Sequence, residues 1–284
     1  MIETEELDEL IASGKQDLKV INATWYHKTN IEHQALQDHL SNRLPTSIFL
    51  NHEDLIMTHE DHAQLIPTLP SFTAQMRRLS LRPTDTLVCY DDYGLYSSPR
   101  LAWTLNYFGA HNVRVLNGGL PKWRREGRRV DCGPQQKILT GPKKGVKADK
   151  WEINHGHKAE QATNPIHKAA YYVANKIAKT QIIDARSPER HSGELAEKGY
   201  GLRSGKISGS LNVHFRDLIT EDGTLRATKE IADVFYKAKL DPFLTSIVYS
   251  GRGISACILD LAMRSLGNDK TILYLGSWEQ YVRQ

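Results

Sequence analysis

The sequence predicts an α/β protein made of two similar domains, each a parallel sheet flanked by helices. Three observations predict it. The chain has 284 residues, comfortable for two domains of ordinary size. Apolar strand-like runs alternate with helix-like runs, the pattern of a parallel sheet with helices on both faces. The chain also repeats itself. TLVCYDDYGLYSSPRLAWTLNYFGAHNVRVLNGGLPKW at 86–123 and TSIVYSGRGISACILDLAMRSLGNDKTILYLGSWEQY at 245–281 follow one plan: strand, Tyr, small turn, helix, Gly, strand, Gly-containing turn, short aromatic helix. In this register Tyr90 matches Tyr249, and Asp91 matches Ser250.

The first domain is expected over 1–130. Its opening, MIETEELDELIASG, is acidic and lacks Arg, so no presequence is visible. Strands are expected in LKVINATWY (18–26), ending in Asn-Ala, in IFLN (48–51) and in LVCY (87–90). Residues 131–177 are expected to form an inter-domain linker, because CGPQQ, TGPKKG and NHGHKAEQATNP show no sustained periodicity. A connection of that length without structure would be unusual, so part of 165–179 is expected to be helical. The second domain, 178–284, restarts the pattern with TQIIDARSP (180–188), ending in Asp-Ala, and continues with SLNVHF (210–215) and SIVY (246–249).

Composition excludes several classes. Hydrophobic content of 40% and charged content of 25% are those of a globular protein, and no apolar run approaches a membrane span. A net charge of +4 and a pI near 8.8 do not argue for nucleic acid. The basic stretch GPKKGVKADK (141–150) reads as a solvated linker. Cys89, Cys132 and Cys257 have no CxxC partner and no zinc-type spacing, so no metal is expected. Cys89 and Cys257 fall in apolar elements and are expected in the core, with Cys132 in the linker.

Ligands of such sheets bind at the carboxyl ends of the strands. Ser250 stands at such an end, in the loop SGRGIS (250–255). Gly251 and Gly253 are expected to allow positive φ, and the N–H groups of Gly251, Arg252, Gly253, Ile254 and Ser255 to form an anion-holding nest, with a helix starting at Ile254. A thiolate at position 250 would be stabilised there, whereas a serine would still need a base. Alternatively, the glycines serve only a tight strand-to-helix turn.

These landmarks resemble the tandem-domain rhodanese family, specifically the mercaptopyruvate/thiosulfate sulfurtransferases. The resemblance rests on ATWY (23–26), 90–127, DARSPERHSGE (184–194), GLRSGKISGSLNV (201–213), SGRGIS and GSW (276–278), and covers nearly the whole chain. It implies a non-catalytic first domain and a second domain whose loop, CGSGVT or CRKGVT in the family, carries a cysteine that accepts sulfane sulfur as a persulfide. It implies no cofactor. By the same resemblance Arg186 matches a substrate-carboxylate arginine, and Arg190 and Arg203 are further substrate-anion candidates.

This chain departs from the family at several places. Position 250 is Ser, and Arg252 replaces the loop serine of the mercaptopyruvate enzymes. Gln64-Leu65-Ile66-Pro67 replaces His-Met-Leu-Pro, Glu197-Lys198-Gly199-Tyr200-Gly201 replaces Glu-Pro-Arg-Pro-Gly, and Gly205-Lys206-Ile207-Ser208-Gly209 replaces Gly-His-Ile-Pro-Gly. Leu275 and Asn22 stand where the family has Asp. A single engineered replacement would change one residue. Departures clustered around one site favour a natural pseudoenzyme, a binding or structural component of a larger assembly, with mitochondrial or cytoplasmic location. The alternative is a thiosulfate/3-mercaptopyruvate sulfurtransferase whose nucleophilic Cys at 250 has been replaced by Ser. A serine-dependent or phosphate-handling enzyme ranks last, since the loop has neither a phosphatase cysteine nor the length. What remains of the site reads as cationic, open to a small anion, unless Arg186 and Arg203 pair with acids across the domain interface.

Overall fold

The computed structural model describes residues 1–26, 34–58, 64–134, 150–160, 166, 170, 179–197 and 202–283. The chain forms two compact units. Unit 1 comprises Met1–Ile56, Pro67–His155 and Glu221–Thr224, and unit 2 comprises Met57–Ile66, Gly156–Thr220 and Leu225–Gln284. The division differs from simple halves joined by a linker, because each unit includes a short segment from the other half of the chain.

Unit 1 opens with α1 (Thr4–Ala12), whose Leu7 is fully buried. Then come β1 (Leu18–Asn22), α2 (Ala35–Ser41), β2 (Ile48–Phe49) and a 3-10 turn at His52–Leu55. The hairpin strands β3 (Met57–Thr58) and β4 (Gln64–Leu65) belong to unit 2. Unit 1 resumes with α3 (Leu69–Arg78), β5 (Thr86–Tyr90), α4 (Ser98–Tyr107), β6 (Asn112–Val115) and α5 (Gly119–Arg125). Its sheet has the order β2-β1-β5-β6, and every pairing is parallel. The central strand β5 is buried along its whole length, which is why its residues read as a continuous apolar run rather than an alternating one. Ile2, Leu7, Val20, Val88, Leu116, Leu120 and Trp123 form a core against it.

Unit 2 contains β7 (Lys158–Glu160), β8 (Gln181–Asp184), α6 (Pro188–Ser192), β9 (Leu211–Asn212), a 3-10 turn at Phe215–Leu218 and α7 (Thr228–Lys237). It closes with β10 (Ser246–Tyr249), α8 (Ala256–Ser265), β11 (Thr271–Tyr274) and α9 (Ser277–Arg283). The parallel order is β7-β11-β10-β8-β9. The edge strand β7 is drawn from residues read in the sequence as linker.

The internal repeat holds at the level of single hydrogen bonds. The Tyr90 hydroxyl accepts from the Leu44 N–H at 3.3 Å and lies 3.0 Å from Ser47 Oγ. The Tyr249 hydroxyl accepts from the Ile207 N–H at 3.2 Å and lies 3.1 Å from Ser210 Oγ. The Tyr90 carbonyl accepts from the Ala23 N–H at 2.8 Å, and the Tyr249 carbonyl from the Ala185 N–H at 2.9 Å. Each tyrosine thus ends its central strand and ties down the turn that leads into the edge strand.

The segment after the first repeat docks on unit 1. Trp151 packs edge-on against Phe72 at 5.1 Å, and Phe72 stacks on Phe108 at 4.0 Å. The Glu152 N–H donates to the Phe108 carbonyl at 3.2 Å. Gly109, at φ +86°, admits this approach, since a Cβ there would lie 2.6 Å from the Glu152 carbonyl oxygen. Unit 1 also takes in Glu221–Thr224: a Cβ on Gly94 would lie 2.9 Å from the Gly223 carbonyl oxygen, and Arg125 Nη2 pairs with Asp222 Oδ1 at 3.3 Å. The expected helix within 165–179 lies almost wholly outside the described residues; Ile166 and Ala170 are helical and buried.

Two buried histidines make unit 1 acid-sensitive. Burial pushes both His39 and His52 down to about 4, with Arg43 adding to the effect on His39 and Arg100 to that on His52. Folding therefore favours the neutral rings. Their effect on stability is nil above the ordinary value of 6.5 and grows as pH falls toward 4, where folding must hold an uncharged ring that the unfolded chain protonates. For His52 the loss is on the order of 3 kcal/mol. Thermal melts across this range should show a steep fall in Tm, and His52→Gln should make it shallower. An unchanged slope in that variant would exclude His52 as a cause.

Candidate functional site

The carboxyl end of β10 delivers Ser250 into the centre of unit 2, where it is 1% exposed. Its Oγ accepts the Gly253 N–H at 2.9 Å. Its own N–H donates to Ser277 Oγ at 3.1 Å, and its carbonyl accepts from the Trp278 N–H at 2.9 Å. The Gly251 carbonyl accepts from the Glu279 N–H at 3.1 Å. The loop is therefore fastened to the first turn of α9.

Two details of the expected loop are corrected. Gly253 takes the left-handed backbone, at φ +78°, but Gly251 does not. The helix begins at Ala256 rather than Ile254, because the first bonds of the turn are short-range: Cys257 N–H to the Ile254 carbonyl and Ile258 N–H to the Ser255 carbonyl, both 3.1 Å. Cys257 is buried below the loop, its Sγ 3.4 Å from the Gly253 carbonyl oxygen. Cys89 is buried and Cys132 exposed, as the sequence suggests.

Sequence reasoning missed Ser277. It has φ +53°, and its repeat counterpart Gly119 has φ +52°. In unit 1 a side chain there would collide with the Asp91 carbonyl, so glycine is required. In unit 2 the serine is tolerated and used: its Oγ donates to the Tyr274 carbonyl at 2.9 Å while receiving the Ser250 N–H. The signal was available, since Gly118-Gly119 aligns with Gly276-Ser277.

The arginines are less free than their sequence positions suggest. Arg186 is 4% exposed. Its Nη2 lies 2.6 Å from Asp184 Oδ2 and 2.8 Å from the Gly205 carbonyl oxygen, and its Nη1 lies 2.6 Å from Glu197 Oε1. Its guanidinium also sits over the Trp278 ring at 4.6 Å. Burial alone would raise the Asp184 carboxyl, but hydrogen bonds from His191 and Arg186 outweigh it and hold Asp184 below the usual carboxylate range. Arg190, with a quarter of its side chain exposed, shares Glu197 through a 3.2 Å contact. Arg252 Nε lies 2.7 Å from Glu279 Oε2, and Arg283 holds the other oxygen at 3.3 Å. Arg203 donates to the Val282 carbonyl at 3.5 Å, and its own carbonyl accepts from the Trp278 indole. The pairing expected for Arg186 across the domain boundary is instead internal to unit 2. The cationic reading is thus corrected for Arg186, Arg190 and Arg252, each of which meets a carboxylate of its own unit.

Among the departures from the family pattern, Leu275 and Asn22 are fully buried, and Leu65 and Ile66 are buried within unit 2. Lys198, Gly199, Tyr200 and Gly201 lie outside the described residues. Among the described residues no group of His, Cys, Asp and Glu is arranged to hold a metal ion, and no helix is long and apolar enough to cross a membrane.

The matching proteins agree with this architecture. The chain is 29% identical over 290 residues to thiosulfate sulfurtransferase of Rattus norvegicus, covering all of this chain and 92% of that protein. It is 28% identical over 265 residues to 3-mercaptopyruvate sulfurtransferase of Escherichia coli K12, covering 93% of this chain and 89% of that one. Among solved structures, the sub-stoichiometric sulfur transferase subunit of yeast mitochondrial complex I superposes with a TM-score of 0.82 at 22% identity, over all of this chain and 96% of that one. The rhodanese-like domain matches twice, at residues 4–126 and 169–284, so the chain belongs to the rhodanese family as a tandem-domain, sulfurtransferase-like member.

Proposed function

We propose that this chain is a non-catalytic member of the sulfurtransferase family that serves as a binding or structural component of a larger protein assembly. The observation that carries this is the hydroxyl of Ser250, buried at the strand end that would present the thiol. Sulfur transfer needs a thiolate to attack the sulfane sulfur of the donor and keep it as a persulfide. A hydroxyl stays protonated at neutral pH, and a single N–H bond from Gly253 does not ionise it. The engaged arginines support the same reading, since a substrate carboxylate or sulfonate would have to compete with Glu197 at Arg186 and with Glu279 at Arg252. The assembly part of the proposal draws on the yeast relative's description as a complex I subunit, and a mitochondrial location on its description as mitochondrial.

The direct test incubates the protein with thiosulfate and with mercaptopyruvate, follows thiocyanate formation with cyanide, and reads intact mass. No turnover and no added sulfur are expected. A sulfur adduct mapped to residue 250, or turnover that survives Cys257→Ala, would overturn the proposal.

One observation favours a second reading, an intact sulfurtransferase lacking only its thiol. The loop is well formed, with Gly253 in the left-handed region and its N–H aimed at the side chain of residue 250. Ser250→Cys separates the two readings. A variant that gains one sulfur and turns over means the rest of the site is competent; a folded but inert variant means the other departures have dismantled it.

A further inference from the structure

The two units differ at the 3-10 turn that follows the edge strand, outside the loop 250–255. In each unit a 3-10 turn follows the edge strand and faces a helix. The Leu50 N–H bonds the Asn22 carbonyl at 3.0 Å, and the Val213 N–H bonds the Asp184 carbonyl at 3.0 Å. Asp54 and Asp217, each four residues further on, are therefore equivalent. The helices match too. Phe72 and Met76 are the buried residues of α3, and Ile231 and Phe235 those of α7. A left-handed residue follows each helix, Ser80 at φ +54° and Lys239 at φ +59°. Gln75 thus corresponds to Val234, and Arg78 to Lys237.

In unit 1 the turn and the helix are bridged. Asp54 Oδ2 accepts from Gln75 Nε2 at 3.0 Å and from Arg78 Nη2 at 2.9 Å. In unit 2 Val234 offers no donor, and among the described residues Asp217 forms no ion pair with Lys237; its charge acts instead on the His214 ring beside it. An open groove of about 620 Å³ lies there instead. Val213, Val234 and Ala238 give it apolar surface, and Asp217 and Asp233 give it carboxylates. Arg226, at its edge, is already engaged: Nε donates to the Asp217 carbonyl at 2.9 Å, and Nη1 lies 3.3 Å from Glu230 Oε1. On the same helix Tyr236 is 83% exposed, an aromatic of the kind that anchors interfaces.

We propose that this groove docks an arginine-bearing segment of a protein partner. The partner's guanidinium would supply to Asp217 what Arg78 supplies to Asp54 within unit 1, its stem lying on Val213 and Val234. Arginine fits better than lysine because its planar fork can meet a carboxylate with two parallel N–H bonds. The groove gives an assembly subunit a surface, yet it does not depend on the chemistry at residue 250. If it fails to bind, the absence of a thiol at residue 250 is untouched.

The test titrates the full chain with the peptide acetyl-Ala-Leu-Arg-Leu-Ala-amide at low salt, following the methyl signals of Val213 and Val234 by NMR. Saturable shifts of these methyls are expected. Binding should weaken roughly tenfold in Asp217→Asn, and with norleucine in place of arginine in the peptide. The double variant Val234→Gln with Lys237→Arg, which rebuilds the unit 1 bridge within the chain, should also block the peptide. No saturable shift in the native chain, or equal binding by the native chain and both variants, overturns the proposal.

Discussion

Replacing Asp91 by alanine is expected to destabilise unit 1 by about 3–5 kcal/mol, enough to lower its Tm by roughly 10 °C. Asp91 is the repeat counterpart of Ser250 and is fully buried. Its Oδ1 accepts from the Tyr93 N–H at 2.9 Å. Its Oδ2 accepts from the N–H groups of Tyr96, Ser97 and Ser98 at 2.9, 3.0 and 2.8 Å, and from the Ser98 hydroxyl at 2.6 Å. The turn in unit 1 is thus an anion cradle whose anion is covalently part of the chain. Alanine would strand those donors in the interior. Urea unfolding checks the cost, and a second readout checks the cause: sulfate should raise the Tm of Asp91→Ala more than that of the native chain, by entering the emptied cradle. A loss under about 1 kcal/mol would show that water satisfies the donors.

Arg186→Met is expected to cost unit 2 a similar 3–5 kcal/mol, because it leaves Asp184 and Glu197 buried without their shared cation. Methionine preserves much of the stem packing against Trp278, so the change isolates the charge. The pH dependence separates charge from packing. In the native chain Asp184 is held below its ordinary value of 3.8, so its contribution is present above that value and is lost as pH falls below it. In the variant Asp184 loses the guanidinium but keeps its contact with His191, so burial weighs more heavily and its carboxyl moves upward instead. Acidification from pH 7 to about pH 5 then relieves part of the charge on Asp184 in the folded state, and the deficit should shrink. A deficit that stays constant between these pH values would assign the role of Arg186 to packing.

The sheet pattern was legible because β5 and β10 are buried on both faces and so read as unbroken apolar runs, and because Tyr90 and Tyr249 mark the same strand end twice. The position of Ser250 followed from that register. The state of the arginines did not. Sequence shows a cation at 186, 190 or 252, but whether it meets a ligand or a carboxylate of its own chain depends on Glu197 and Glu279, whose side chains reach the site only once α6 and α9 are placed. The helix start was misplaced by two residues because Ile254 and Ser255 close short-range bonds that no residue type announces. The ordered pieces within 131–177 were not legible for a different reason. Trp151 and the strand Lys158–Glu160 lie in a polar, glycine-containing stretch, and their partners, Phe72 and β11, are distant in sequence. The groove beside Asp217 could have been found from the repeat alone, by noticing that Gln75 and Arg78 give way to Val234 and Lys237.

Unit 1 includes Glu221–Thr224 from the second repeat, and unit 2 includes Met57–Ile66 from the first. The two repeats consequently do not coincide with the two units, and neither repeat by itself carries a whole unit. A cut between residues 67 and 220 leaves the leading fragment short of a piece of unit 1 and carrying an orphaned hairpin, while the trailing fragment lacks that hairpin. Any rearrangement that shuffled one repeat into another gene would have to bring a strip of its sibling with it. A fragment holding one repeat alone would lack part of the unit it is meant to form.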